Sequence, residues 1–220
     1  MKLSTLRTNF KFPRGFCFCR STHKIYLPFE RVASKFAFPI FEYEYETPWS
    51  VNDFVDSIDM QMKWDQIGDV EVYPIMLTRC PYERFISAFE VMILNDRLWP
   101  EELFNFKIRR LYDLESYYTL DHYDDKGILE CFKLFTKLYC KDNLDYSFLN
   151  PITENFKDLS ILNDIEIIDV YDWSNTLENR TIRKEKITNI SKQEYFADPV
   201  VKRIFDRRFS NDLTLFGYSL

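Results

Sequence analysis

The segment Leu77-Thr-Arg-Cys-Pro-Tyr-Glu-Arg-Phe-Ile-Ser-Ala-Phe89 constrains the fold more than any other part of the chain, because it turns a strand into a helix by way of Arg79. Before it, Val70-Glu-Val-Tyr-Pro-Ile-Met-Leu77 has the apolar, β-branched character of a strand inside a sheet. Pro81 stands where a first helical turn tolerates a missing N–H. From there Tyr82, Phe85, Ile86, Phe89 and Ile93 recur at spacings of three, four and seven, which predicts a helix with these residues on its core side. Arg84 and Ser87 fall on another face. Arg79 at the strand end and Ser87 on the first turns can then both point at one anion, assisted by the N–H groups of the helix start. With no such ligand, the same residues are a surface arginine and an ordinary helical serine.

Taken together, Arg79-x-Pro81-Tyr82-x-Arg84-x-x-Ser87-Ala88-Phe89 resembles the 3′-phosphate-binding motif of sulfotransferases. The likeness is to the carbohydrate-modifying and small bacterial or viral branch, whose pattern reads Arg-Asp-Pro-x-x-Arg-x-x-Ser-x-Tyr. This resemblance implies that Arg79 and Ser87 hold the 3′-phosphate of 3′-phosphoadenosine 5′-phosphosulfate (PAPS), the sulfuryl donor. Cys80 departs from the pattern, standing where Asp or Asn is usual.

A second motif of that family should precede the first. His23-Lys-Ile-Tyr-Leu-Pro-Phe-Glu-Arg-Val-Ala-Ser-Lys-Phe-Ala37 reads as strand, loop and helix. It resembles the family's 5′ loop, Pro-Lys-x-Ala-Ser-Thr-Ser, in which successive backbone N–H groups cradle the 5′-phosphosulfate. On that resemblance Arg31, Val32, Ala33, Ser34, Lys35 and Phe36 form the donor-binding loop. Ser34 takes the position of a phosphate-binding hydroxyl, Lys35 replaces a second hydroxyl residue, and Arg31 occupies the catalytic lysine's place. Sulfuryl transfer, like phosphoryl transfer, is accelerated by positioning and by cations that stabilise charge on the bridging oxygen. Arginine supplies the charge but does not readily give up its proton. Arg31 is therefore expected to stabilise the leaving group electrostatically, with Lys35 sharing the role. The segment is equally compatible with an ordinary strand-to-helix turn. Cys19-Arg-Ser-Thr22 is a rival placement, followed at once by strand-like residues instead of a helix.

The acceptor-side base is less clearly marked. Where many relatives carry a segment like Asp-x-His-Phe-x-Pro-Gln, this chain has Asp145-Tyr-Ser-Phe-Leu-Asn-Pro151, so Ser147 replaces the histidine. A serine needs another group to activate it before it can act as a base near neutral pH. Only two histidines exist: His23 reads as a strand-end polar residue, and His122, in the acidic turn Leu120-Asp-His-Tyr-Asp-Asp125, is either a surface-loop residue or an acceptor-site base. Glu42, Glu44 and Glu46 lie within reach of the 5′ loop in sequence, although alternation with aromatics there also marks an edge strand or a solvated helix face.

Composition excludes other classes. Four glycines leave no Gly-x-Gly-x-x-Gly loop. A net charge of −6 argues against non-specific nucleic-acid binding, which needs basic surface. Five cysteines, at 17, 19, 80, 131 and 140, predict reduced thiols in a cytoplasmic setting. Cys17-Phe-Cys19 has no second Cys or His pair at ligand spacing, so no metal is expected. No run is long enough to span a bilayer, and Lys2, Arg7, Lys11, Arg14 and Arg20 are not followed by the apolar core of a signal peptide, so a soluble chain without a membrane partner is expected.

The 220 residues, 46% hydrophobic and 18% aromatic, predict one domain with a substantial core. Strands are expected near 23–27, 70–78 and 164–171, and helices near 34–44, 51–62, 82–95, 101–117, 127–140 and 192–207, an α/β alternation. Asp164-Ile-Glu-Ile-Ile-Asp-Val-Tyr171 resembles a late strand of the family. Phe205-Asp-Arg-Arg-Phe-Ser-Asn-Asp-Leu-Thr-Leu-Phe-Gly-Tyr218 resembles its ending. The likeness is strongest over 23–95 and extends to 218. It implies a single-domain, P-loop-like three-layer α/β fold over residues 1–220, with a short central parallel sheet flanked by helices. It also implies transfer of a sulfuryl group from PAPS to a hydroxyl acceptor, with a carbohydrate as the acceptor. The alternatives are a catalytically degenerate relative that binds nucleotide or glycan, and a P-loop-like small-molecule kinase, which lacks Gly-x-x-x-x-Gly-Lys-[Ser/Thr] here.

Overall fold

The computed structural model describes residues 1–11, 17–18, 22–27, 29, 32, 67–90, 125–141, 149–172 and 188–220. These form a mixed α/β protein whose contacts divide the chain into two compact units. One comprises 1–79, 146–183 and 214–217, and the other 80–145, 184–213 and 218–220.

The first unit is built on a small sheet. Strands β1 (Cys17–Phe18), β2 (Lys24–Leu27), β3 (Tyr73–Thr78) and β4 (Glu166–Asp169) lie in the order β1-β2-β3-β4. β1 runs antiparallel to β2, whereas β2, β3 and β4 are parallel, in the three places where the sequence predicts strands. β3 is paired on both sides, and after Tyr73 every one of its residues is buried, which is why it reads as an unbroken apolar run. Pro74 survives inside it because the Tyr73 N–H goes to the His23 carbonyl on the β2 side (2.9 Å). Alternation then puts the Pro74 nitrogen on the β4 side, one residue before that ladder starts at Ile75↔Glu166.

Helix α1 (Leu3–Asn9), which the sequence reading did not anticipate, closes this unit. Leu3, Leu6 and Phe10 recur at helical spacing and are buried. The chain around α1 is tied by Leu3 N–H to the Val70 carbonyl (2.9 Å) and by Lys11 N–H to the Asn155 carbonyl (2.7 Å). Two 3₁₀ segments, Ile152–Asn155 and Leu159–Asp164, lead into β4. Phe10, Phe29 and Phe156 meet at ring separations of 5.6, 4.8 and 6.3 Å, beside Ile25, Leu27, Val72 and Met76.

The second unit is helical among its described residues. It contains α2 (Pro81–Phe89), α3 (Asp125–Lys141), α4 (Lys192–Tyr195), α5 (Pro199–Arg208) and α6 (Ser210–Leu215), of which α6 runs past the unit's boundary at Leu213. The helix expected over 192–207 is two helices. Asp198 caps the second by accepting from the Val200 and Val201 amides, and Pro199 occupies its first position, so Asp-Pro restarts the helix and does not continue it. Ser191 and Glu194 form a reciprocal capping box on the first. The helices expected over 34–44, 51–62 and 101–117 lie outside the described residues.

Aromatic rings fill the second unit. Phe85 of α2 lies within 5.1–5.8 Å of Phe132, Phe135, Tyr139, Phe205 and Phe209, drawn from α3, α5 and the residue after α5. Removing that ring should cost about 3–5 kcal/mol, since truncating a packed aromatic loses both transfer energy and the contacts of the cavity lining. Phe85→Ala is expected to lower the unfolding free energy by that amount in denaturant titrations followed by near-ultraviolet dichroism, while Phe85→Leu should lose clearly less.

Candidate functional site

Arg79 is the last residue of the first unit and follows directly on β3, the strand with parallel neighbours on both sides. It therefore stands at the C-terminal edge of the parallel strands, where open α/β sheets bind ligands. The side chain is half-buried, and its Nε is shielded from solvent. Thr78 before it is buried and donates its hydroxyl to the Ile168 carbonyl at 3.5 Å. Asp169 is in register with Thr78 on β4, and its carboxylate accepts the Tyr171 amide at 2.8 Å. The sequence reading took 164–171 as a strand and passed over this carboxylate. Its position as the last residue of Glu166-Ile-Ile-Asp169 was the available signal.

In the second unit, α2 begins as the sequence predicts, with Pro81 at its first position and the Arg84 amide closing the first turn on the Cys80 carbonyl (2.9 Å). Cys80 is the N-cap residue, in the place where the motif has Asp or Asn. Its sulfur makes no cap hydrogen bond. Burial pushes the thiol's pKa up, although the Glu83 and Tyr82 amides face the sulfur and pull the other way. Cys80 is buried and in no disulfide, and the cap here rests on backbone alone.

Ser87 is half-buried, six residues past Pro81 and so about 9 Å along the helix axis. It can meet a ligand along the flank of α2 and not at its tip. Glu83, one turn earlier, shares that flank and is also half-buried. Arg84 corrects the expected division of faces. Together with Ala88 it is buried, while Ile86, expected on the core side, is half-buried. The Arg84 guanidinium lies 3.8 Å from the Asp212 carboxylate and 5.9 Å from the Phe209 ring centre.

Two further polar clusters hold this unit together. The Tyr82 hydroxyl donates to Asp206 Oδ1, and Lys202 Nζ donates to the Tyr82 oxygen (3.2 Å) and to Asp206 Oδ2. Glu90, at the end of α2, accepts at Oε1 from Thr188 (2.7 Å) and from the Tyr195 hydroxyl (3.1 Å), all three residues being buried. Each cluster joins α2 to a later part of the chain.

Of the expected 5′ loop, only Phe29 and Val32 are described around it, and both are buried in the core of the first unit. What Val32 can offer a phosphate is its backbone N–H, since its side chain is wholly buried. Arg31, Ala33, Ser34, Lys35, Phe36 and His122 lie outside the described residues, as do Glu42, Glu44, Glu46 and Ser147. His23 adopts a left-handed backbone (φ 57°) just before β2, with Nδ1 3.0 Å from the Glu71 carbonyl oxygen. Among the described residues there is no group of three or more His, Cys, Asp and Glu side chains that could hold a metal, and no helix long and apolar enough to cross a membrane. No family model, curated protein or solved structure matches the chain.

The Tyr82 cluster makes a pH prediction. Burial, and then the hydrogen bond to Asp206, push the Tyr82 phenol up to about 12 from its ordinary 10.0. The Lys202 ammonium is also raised, chiefly by its hydrogen bond to Asp206. Groups that hold their protons more tightly when folded contribute stability that is complete below their unfolded values and is lost as pH rises through the folded ones. Stability should therefore fall between pH 10.0 and about 12. Denaturation midpoints across that window should drop less steeply in Tyr82→Phe than in the parent protein.

Proposed function

We propose that this protein is a sulfotransferase that moves the sulfuryl group of PAPS to an acceptor hydroxyl, with a carbohydrate as the acceptor. The observation that carries the reading is the local structure of each half of the motif, taken within its own unit. In the first unit Arg79 directly follows a buried parallel strand that ends at Thr78, and in the second a helix begins at Pro81 and carries Ser87 with its side chain partly open. The resemblance to Arg-Asp-Pro-x-x-Arg-x-x-Ser-x-Tyr rests on Arg79, Pro81, Arg84 and Ser87, with Cys80 and Phe89 departing from it. The same reading includes a P-loop-like, three-layer architecture in one domain over 1–220, a cytoplasmic setting, no metal and no nucleic-acid partner.

In this reading Arg79 and Ser87 bind the 3′-phosphate, and the backbone of Arg31 to Phe36 binds the 5′-phosphosulfate. The acceptor oxygen attacks sulfur as the bond from sulfur to the bridging phosphate oxygen breaks. The acceptor proton passes to a base, with His122 the candidate, and the leaving oxygen develops charge that Arg31 and Lys35 stabilise. The products are the sulfate ester and 3′-phosphoadenosine 5′-phosphate. Glu83 beside Ser87 opposes an anion on that flank, so the guanidinium of Arg79 must supply most of the attraction.

Binding tests the first half of the proposal. The protein should prefer 3′-phosphoadenosine 5′-phosphate to AMP in calorimetry, each charged hydrogen bond to the extra phosphate contributing about 1.5–3 kcal/mol. Arg79→Ala should remove the preference and keep the fold, because the residue follows the strand and does not fill the core. Equal affinity of the parent protein for both nucleotides would refute the reading.

Turnover tests the second half. Arg31→Ala should lower transfer from labelled PAPS to a glycan panel far more than it lowers nucleotide affinity, the mark of an interaction made in the transition state. Arg31→Lys should retain or raise activity. Loss of transfer in Lys35→Ala but not in Arg31→Ala would reverse the two roles. A parent protein that binds the nucleotide and transfers to no acceptor would be the degenerate binder.

A further inference from the structure

Strand β4 stands at an edge of the sheet and is the least covered of its parallel strands. In the order β1-β2-β3-β4 no described strand lies beyond it. Glu166 and Ile167 are exposed, Ile167 at 39%, while Ile168 and Asp169 are half-buried. The direction of its backbone groups follows from β3. The Tyr73 N–H goes to the β2 side, so by alternation the N–H and C=O groups of Met76 and Thr78 turn toward β4. In a parallel pair such groups bond to the two neighbours of the residue opposite. Met76 is opposite Ile167, so Glu166 and Ile168 face β3, and the N–H and C=O of Ile167 face outward. The Ile168 carbonyl accepts from Thr78 Oγ1 on that inner side. An outward amide and carbonyl at an exposed isoleucine form a template for one more strand.

Charge decides what that strand can be. Asp164, Glu166, Asp169 and Asp172 lie along this stretch, and no Lys or Arg occurs between Asp158 and Asp172. Residues directly opposite on neighbouring strands put their side chains on the same face, where opposite charges attract and like charges repel. A second copy pairing antiparallel about Ile167 and Ile168 would set Glu166 against Asp169 on both sides of the centre. Self-association along this edge is thereby disfavoured. The complement of Glu166-Ile-Ile-Asp169 is a segment reading basic, apolar, apolar, basic, which brings a cation to each carboxylate and an apolar side chain to each isoleucine in either direction. We infer that the outer edge of β4 binds an extended segment of another protein, with Lys or Arg on either side of two apolar residues, by strand addition. The inference is independent of sulfuryl transfer.

The test uses the full chain and a capped, fluorescently labelled peptide with Lys-Val-Val-Lys at its centre, at low ionic strength, where the attraction is least screened. Saturable binding by anisotropy is expected, with hydrogen exchange of the Ile167 amide slowed by about tenfold or more. A peptide with Glu-Val-Val-Glu at its centre should bind about tenfold more weakly or worse. So should the lysine peptide N-methylated at both valines, which keeps the charge and loses N–H groups that a ladder needs. Glu166→Lys, at an exposed position, should remove most of the preference between the two charged peptides. If that variant does not fold by circular dichroism, the three peptides decide on the parent protein alone. Lack of saturable binding would overturn the inference. Undiminished binding of the N-methylated peptide, or an Ile167 amide that stays unprotected, would overturn strand addition and leave only a charged patch. A parent protein that dimerises in sedimentation and protects the same amide without peptide would assign the edge to a second copy instead.

Discussion

Burial of β3 on both edges and both faces is the constraint from which the rest of the first unit follows. A strand with parallel neighbours on each side spends its backbone hydrogen bonds inside the sheet, and its side chains must then be apolar almost without interruption. The first position free of that requirement is Arg79. Parallel neighbours also demand crossover connections, so the chain cannot turn straight back from Thr78. Cys80 and Pro81 let it leave as a helix at once. A charged residue directly after the strand is therefore compatible with the packing of the sheet.

Helix α2 answers a different constraint. It is nine residues long and buries most of its circumference, so its two ends are pinned by polar contacts while its middle is held by rings. Tyr82 ties the first turn to Lys202 and Asp206 of α5, and Glu90 ties the last to Thr188 and Tyr195. Between them Arg84 reaches Asp212 of α6. Tyrosine suits the first and last of these places because it brings a large apolar ring and a hydroxyl that finds a partner. Tyr82 stacks on Phe205 at 4.8 Å while its hydroxyl reaches the half-exposed Lys202–Asp206 pair, so one side chain serves both the core and the polar seam.

Much of this was legible in the sequence. β3 announces itself through an apolar run that no solvated strand would tolerate, β4 by its β-branched residues alone since it is exposed or half-buried throughout, and the start of α2 by a proline where the first turn leaves an N–H unused. What escaped is physically of two kinds. Helix α1 is marked only by Leu3, Leu6 and Phe10, a short pattern whose stability comes from packing onto the first unit's core. Arg84 and Asp212 escaped because a charged residue on a helical pattern signals solvent unless its partner is known, and the partner lies 128 residues away. The break at Asp198-Pro199 was legible, since an N-cap side chain followed by proline is a helix start, but the apolar periodicity on either side of it masked the signal. The 5′ loop stands apart. Its resemblance rests on residue types at 31–36, of which the described structure includes Val32 alone.

The Cys80 departure acquires a meaning from the cap geometry. An Asp at an N-cap accepts from first-turn amides and adds negative charge at the helix start. In this chain a buried, protonation-favoured thiol stands there instead, and Glu83 supplies the acidic residue of the first turn from the outer side. The acidic residue that complements the dipole here stands on the flank that also carries Ser87. A phosphate approaching α2 from its tip would meet less repulsion than in the usual motif, and one approaching along the Ser87 flank would meet more. In the proposed reading Ser87 and Glu83 meet the ligand from the same flank, the hydroxyl attracting the phosphate and the carboxylate repelling it.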